Sequence, residues 1–251
     1  MLRLSKRLLA VAALAADALG TVEEAAGKCL ADVGTDHGYI PIYLLGQGHC
    51  SRAIAMDIKE GPLARAGEHI REHGLTAYIE TRLSDGLAGL EAGEAEVIVI
   101  AGMGGATMSG ILEAGADIIT MDTELILQPQ SEILQFRRYL IEQGFTLIEE
   151  QMVTEDGKFY PMMRVRLLRP GEENPVYDET ELAYGPLLLA KRHPVLKEYL
   201  LRQQRKNLEI RERLERHAGD EIKNGRLAEL ERENTRLQWA LHMYGEKDDD
   251  L

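Results

Sequence analysis

Cysteine is nearly absent. Cys29 and Cys50 are the only two and form no Cys-x-x-Cys pair, which excludes a disulfide framework and a thiolate zinc site and makes a reducing, cytoplasmic compartment the expected one. No apolar run approaches the roughly 20 residues of a membrane span. The first twenty residues carry Arg3, Lys6 and Arg7 ahead of the run from Leu8 to Ala16, an arrangement that imitates a secretory leader. Asp17 interrupts it, and the same apolar residues fit one face of an amphipathic helix. Positive charge is also in deficit. A net charge of -13 argues against indiscriminate nucleic-acid binding, which depends on neutralising phosphates, but it leaves a local basic grip open. Aromatic residues make up only 5%, so Tyr39, Tyr43, Phe159 and Tyr160 are the few candidates for stacking on a ring.

What is present is an ordinary globular composition, 45% apolar and 28% charged over 251 residues, enough for one α/β domain with an appendage. Apolar runs alternate with helical spacing in the βαβ rhythm of a parallel sheet. Strands are expected at 29–33, 52–57, 77–83, 97–101, 124–127, 146–153 and 159–168. The last two flank Thr154-Glu155-Asp156-Gly157-Lys158, a turn-rich segment suited to a hairpin, so the sheet is expected to end in an antiparallel pair. The fold class is therefore α/β, a Rossmann-like sheet of the class I methyltransferase layout. The pattern stops at Arg169-Pro170-Gly171, placing a boundary between a first domain, 1–175, and a second, 176–251.

Beyond Pro194 the spacing becomes heptad-like. Leu196, Leu200, Gln203, Asn207, Ile210, Leu214 and His217 form one seam, and Leu227, Leu230, Asn234, Leu237, Leu241 and Tyr244 form another. Two such helices joined near Ala218-Gly219-Asp220 predict an antiparallel coiled-coil hairpin, with a frayed tail from Lys247 to Leu251. Residues 194–251 carry 12 basic against 13 acidic side chains, leaving 17 against 29 on the rest, so the acidity belongs to the first domain.

In a doubly wound sheet, ligands bind at the carboxyl ends of the strands. Asp32 to His37 follow the first expected strand, Asp57 and Ile58 the second, Ser84-Asp85-Gly86 the third, Ala101-Gly102-Met103-Gly104-Gly105 the fourth and Gln128-Pro129-Gln130 the fifth. Gly34 lets backbone approach a ligand closely, while Asp32 and Asp36 place acids where a dinucleotide turn offers only amides. A pyrophosphate is repelled there, and a cationic adenosine carrying a sulfonium and an amino group is attracted. That points to S-adenosylmethionine. Asp57, with Glu60 as a substitute, can accept ribose hydroxyls, and Asp85 the adenine amino group. Each residue also has a purely structural reading: Asp85-Gly86 as a turn, Gly102, Gly104 and Gly105 as strand and helix caps, Met103 as core filler, Asp36 as a helix cap and His37 as a buried histidine. The five positions acting in order favour a site.

The run Leu4-Ser5-Lys6-Arg7-Leu8, the signature Asp32-Val33-Gly34-Thr35-Asp36-His37-Gly38-Tyr39-Ile40-Pro41, the turn Ala101-Gly102-Met103-Gly104-Gly105 and Leu127-Gln128-Pro129 resemble the TrmK family of bacterial tRNA adenine-N1 methyltransferases. The resemblance spans nearly the whole chain. It implies methylation of adenine 22 of tRNA from S-adenosylmethionine, with no metal and no membrane, and nothing in the sequence demands more than a monomer. It implies a cofactor set of Arg7, Asp32, Gly34, Asp36, His37, Asp57, Ile58, Asp85, Gly86, Ala101, Gly102, Met103, Gly104 and Gln128. Asp36 and His37 are the candidate catalytic pair. Tyr39, Gln128, Pro129 and Gln130, together with Arg202, Arg205 and Lys206, are the candidate tRNA contacts. Where the family commonly has Leu-Gln-Pro-Asn, this chain has Gln130. The fourth strand is not followed by the Asn/Asp-Pro-Pro-aromatic sequence typical of exocyclic amino methyltransferases, which favours a ring nitrogen as the target. A same-fold methyltransferase acting on protein or a small molecule, and a non-catalytic RNA-binding protein, are the alternatives. A nicotinamide-dependent dehydrogenase is disfavoured because Gly-x-Gly-x-x-Gly is missing.

Overall fold

The computed structural model describes the backbone of residues 2–217 and 220–245 and the side chains of residues 2–214 and 225–245. The chain divides into two compact units, Met1–Pro175 and Val176–Leu251, taken separately below.

In the first unit, seven segments rich in Val, Ile, Leu and Met pair into one sheet: β1 (Cys29–Val33), β2 (Arg52–Asp57), β3 (Ile79–Leu83), β4 (Val97–Met103), β5 (Glu124–Pro129), β6 (Phe145–Glu155) and β7 (Lys158–Leu167), in the order β3-β2-β1-β4-β5-β7-β6. β1 to β5 pair in parallel, and β7 lies antiparallel between β5 and β6. All five residues of β1 are buried, as a strand covered on both faces requires. Helices α1 (Lys6–Leu19), α2 (Tyr39–Gly46), α3 (Glu60–Glu72), α4 (Gly105–Ala114) and α5 (Ile133–Glu142) provide the cover. The leader-like segment is α1: Ser5 accepts the Leu8 N–H at its start, and Val11, Ala12, Leu14, Ala15 and Leu19 are buried.

Strand bounds differ from expectation at the start of β3, at the ends of β4 and β5 and, by one or two residues, at both ends of β6 and β7. β3 begins at Ile79 rather than at 77, because the carbonyl of Leu75 accepts the N–H groups of both Tyr78 and Ile79 and holds the chain in a turn. β4 runs on through a bulge between Ala101 and Met103, with Gly102 at φ 81°, so a segment expected to follow the strand belongs to it. β5 likewise includes Gln128 and Pro129. Proline is tolerated there because β7 pairs with β5 only from Glu124 to Leu127, so no partner needs the missing N–H. The β6–β7 turn is tighter than the expected pentapeptide. Asp156 and Gly157 alone make it, with φ of 48° and 68°, the signature of a type I′ hairpin.

Arg137 of α5 donates through Nε to Glu150 of β6 at 2.7 Å, and the two side chains are 1% and 0% exposed. Arg137→Ala deprives a buried carboxylate of its counter-charge. It is expected to cost about 3–5 kcal/mol, read as a fall of about 10 °C in thermal unfolding; an unchanged midpoint contradicts this.

In the second unit, α6 (Glu179–Tyr184) starts at a capping box formed by Asp178 and Glu181, a signal legible in the sequence but not used above. α7 (Pro186–Ala190) follows, then α8 (Pro194–His217) and α9 (Asp220–His242). The last two run antiparallel: Tyr244, just past α9, donates to the carbonyl of His193, just before α8, and Asn207 Nδ2 donates to Asn234 Oδ1 at 3.0 Å across the seam. Leu196, Leu200, Leu230, Leu237 and Ala240 are buried along this seam. The side chain of His217, the Ala218-Gly219 junction and the tail from Lys247 to Leu251 lie outside what the structure describes.

Candidate active site

A cavity of about 630 Å³ opens at the carboxyl ends of β1 to β4. Its floor is the turn from β1 to α2. The N–H groups of Gly34 and Thr35 both donate to the carbonyl of Met56, at 2.9 and 2.8 Å, which locks the turn onto β2. Gly34 (φ 73°), Asp36 (φ 50°) and Gly38 (φ 71°) are all left-handed, and a Cβ on Gly34 would run into the terminal methyl of Met103. The left-handed backbone favours glycine there, and a Cβ would force the flexible Met103 side chain to shift.

Asp32 is 4% exposed and accepts a hydrogen bond from the Thr35 hydroxyl at 2.6 Å. Burial pushes its carboxyl up to about 6; the Thr35 hydrogen bond works against that rise, and the charge of Asp57 adds to it. Asp57 ends β2 and accepts the N–H of Lys59 at 2.9 Å. Among the described residues, no cationic side chain pairs with either carboxylate. Ile58 beside them is 58% exposed, an apolar surface at the mouth of the cavity. Ser84 pins the third loop by accepting the Gly89 N–H at 2.8 Å and donating to the carbonyl of Gly86 at 3.1 Å.

The opposite wall comes from α1 and the ends of β4 and β5. Arg7 donates from Nη1 to Gln128 Oε1 at 3.0 Å, and its guanidinium lies 5.6 Å from the ring centroid of Tyr160. The Gln130 N–H donates to the carbonyl of Met103 at 2.8 Å. A Cβ on Gly102 would sit 3.4 Å from Arg7 Nη1 and 3.6 Å from Gln130 Nε2, so its absence leaves the gap between those side chains open. At the outer rim, Asp36 Oδ1 accepts from Arg65 Nη2 at 3.0 Å, and Asp36 Oδ2 lies 3.5 Å from His37 Nε2.

The structure brings Arg7, Asp32, Gly34, Asp36, His37, Tyr39, Asp57, Ile58, Asp85, Gly86, Ala101, Gly102, Met103 and Gln130 to this one cavity. It does not bring Gln128, Pro129, Gly104 or Glu60 there. Gln128 is fully buried within β5 and reaches the cavity only through Arg7, Pro129 is buried at the end of the same strand, and Gly104 is the cap of α4. Arg202, Arg205 and Lys206 are exposed on α8, in the second unit. Sequence reasoning missed Thr35 as the partner of Asp32. It also missed Lys59, Pro62, Thr107 and Ile111 on the lining and Arg65 on the rim, all of them on helices or turns that only tertiary structure aims at the site. Among the described residues no group of three or more His, Cys, Asp or Glu is placed to hold a metal ion, and no helix is long and apolar enough to cross a membrane.

Residues 30–237 match the family model described as tRNA (adenine(22)-N(1))-methyltransferase, TrmK. The tRNA (adenine(22)-N(1))-methyltransferase of Bacillus subtilis strain 168 is 34% identical over 233 residues, 91% of this chain and 93% of that protein. The crystal structure of the B. subtilis m1A22 tRNA methyltransferase TrmK superposes with a TM-score of 0.81 at 31% identity, covering 96% of this chain and 99% of that one. Streptococcus pneumoniae Sp1610, solved in complex with S-adenosyl-L-methionine, superposes with a TM-score of 0.75 at 31% identity over 96% and 99% of the two chains. With the acidic cavity at the head of a seven-stranded sheet and a family match over most of its length, this chain belongs to the TrmK family of tRNA (adenine(22)-N(1))-methyltransferases.

Proposed function

We propose that the cavity holds S-adenosylmethionine against Asp32, Asp57 and Asp85 and presents its methyl group to N1 of adenine 22 of tRNA, with Asp36 beside the target base. The observation that carries this is the pair of buried carboxylates, Asp32 and Asp57, at the ends of adjacent parallel strands with no cationic side chain among the described residues paired to them. A ligand with a sulfonium and an ammonium supplies that balance, and its ribose gives Asp57 two hydroxyl donors. Bound there, S-adenosylmethionine provides an electrophilic methyl group. The chain's own residues bind, orient and exclude water. Asp85 and Gly86 hold the adenine end, Ala101 to Met103 and Ile58 give it apolar walls, and Arg7, fixed by Gln128 and Tyr160, faces the carboxylate end of the cofactor.

Adenine already carries a lone pair at N1, so no strong base is needed to start the transfer. Charge develops on the base as the bond forms, and the carboxylate of Asp36 stabilises it. Tyr39 and Gln130 border the space left for that base, which is turned out of its stack at a cost of a few kcal/mol. Incubating purified chain with unmodified tRNA and labelled cofactor, then mapping the product, tests the reading. One methyl at N1 of adenine 22 supports it, whereas methyl on protein, on an exocyclic amine or nowhere rejects it.

Two further outcomes follow. Because the Asp32 carboxyl is held at about 6, above its ordinary value near 3.8, its contribution to folding is full below about pH 4 and is lost as pH rises through 6. A bound cation favours the ionised form. Cofactor affinity measured by calorimetry is therefore expected to rise up to tenfold per pH unit from pH 5 to 6 and level off above, and Asp32→Asn flattens the curve; a pH-independent wild type contradicts it. The exposed basic residues of α8 serve as the tRNA grip. Reversing Arg205 and Lys206 to Glu is expected to weaken tRNA binding at least about tenfold and make its log–log salt dependence shallower by about 1 to 2, with cofactor affinity unchanged. Undiminished tRNA binding removes them from that role.

A further inference from the structure

We propose that Arg65 and His69 of α3 are positioning residues for methyl transfer, holding Asp36 and His37 in working geometry. This rests on the role given to Asp36 above. The two residues are one helical turn apart and share a face, along with Pro62, which lines the cavity.

The segment they hold does not keep its shape on local preference alone. Asp36 is a non-glycine residue at φ 50°, a left-handed conformation that L-residues adopt sparingly and that persists where the surroundings favour it. The Gly38 N–H closes the turn on the Thr35 carbonyl at 3.0 Å, and two contacts from α3 brace it. Arg65 Nη2 donates to Asp36 Oδ1 at 3.0 Å, fixing the carboxylate. His69 Nδ1 lies 2.9 Å from the carbonyl oxygen of His37. A carbonyl only accepts, so that imidazole nitrogen carries the proton and holds the backbone of the next residue. His73 Nδ1 in turn donates to the carbonyl of His69 at 2.8 Å, extending the row along the helix.

The rings add a third restraint. His37, Tyr39 and His69 lie within 12° to 26° of parallel, with centroids 5.1, 5.2 and 5.4 Å apart. Three mutual separations this similar rule out a straight pile, in which the outer rings would be about twice as far apart. They form one tight cluster that ties the β1–α2 turn to α3.

Arg65 and Asp36 are 49% and 57% exposed, so the pair adds little to folding stability. Its effect falls on geometry, which is what makes the idea testable. The experiment measures kcat, KM for tRNA and for S-adenosylmethionine, and thermal midpoint for Arg65→Ala, Arg65→Lys, Asp36→Asn and the double variant R65A/D36N. The expected result is a fall of about tenfold in kcat for Arg65→Ala, an unchanged KM for the cofactor and an unchanged midpoint, with Arg65→Lys recovering most of the loss. In the Asp36→Asn background, Arg65→Ala should cost nothing more, since the residue acts through the carboxylate. His69→Asn, which keeps an N–H near the Nδ1 position, should retain more turnover than His69→Ala. Equal losses from Arg65→Ala in both backgrounds, or no loss in either, overturn the proposal while leaving the role of Asp36 intact. Normal turnover in Asp36→Asn alone overturns that role first.

Discussion

Asp36→Asn is expected to lower the turnover of tRNA methylation by about 10²–10³-fold, with cofactor affinity and thermal midpoint close to those of the parent chain. The size follows from removing a negative charge, held in place at the cavity rim by Arg65, beside a base that becomes cationic in the transition state. Asparagine is the informative substitute because it tolerates the left-handed backbone that Asp36 adopts at φ 50° at least as well as aspartate does. It keeps the size and one oxygen of the side chain, so a loss of rate reports the charge rather than a collapsed turn. Steady-state kinetics with saturating cofactor is the measurement. Turnover within a few-fold of the parent would mean that Asp36 only shapes the turn through its contacts with Arg65 and His37.

Gly34→Ala attacks the other half of the site. The new methyl group meets the end of Met103, and the residue is held at φ 73°, where a Cβ costs about 1–2 kcal/mol. Met103 is flexible and can swing aside, so the fold survives with a modest drop in midpoint. The space does not survive: both the added methyl and the displaced thioether occupy the cavity that Gly34 and Met103 line together. Cofactor affinity is expected to fall about a hundredfold, equivalent to roughly 3 kcal/mol, measured by titration calorimetry with S-adenosylhomocysteine. Parent-like affinity would show that the ligand does not lie against this turn.

Much of the frame could be read before any coordinates. β1 and β2 have the expected bounds because each is a short apolar run between polar residues, and the ladder order puts their carboxyl ends side by side. The strand ends that carry the site were harder. Gly102 reads as a stop, yet it is a bulge inside β4, and Pro129 reads as a terminator, yet it closes β5 where no neighbour needs its N–H. The same difficulty hid the setting of Gln128, which is buried in β5 and accepts a hydrogen bond from Arg7 on the cavity wall. Arg65 and His69 had no local signature at all. Their helical spacing is that of any solvated face, and only the packing of α3 beside the β1–α2 turn gives them partners. The buried Arg137–Glu150 pair was equally silent, since a charge in an amphipathic helix predicts exposure until the sheet is laid against it. The short helices α6 and α7 fell in a segment whose apolar period is too brief to register, although Asp178 and Glu181 announced the first of them.

The most direct test of the acidic cavity as the cofactor seat is a crystal structure of this chain grown with S-adenosylhomocysteine. The expected map places both ribose hydroxyls within hydrogen-bond reach of Asp57, the adenine amino group at Asp85 and the sulfur facing the gap bordered by Asp36 and Gln130. Ligand density anywhere else on the chain, or in this cavity with the ribose turned away from Asp57, would contradict it.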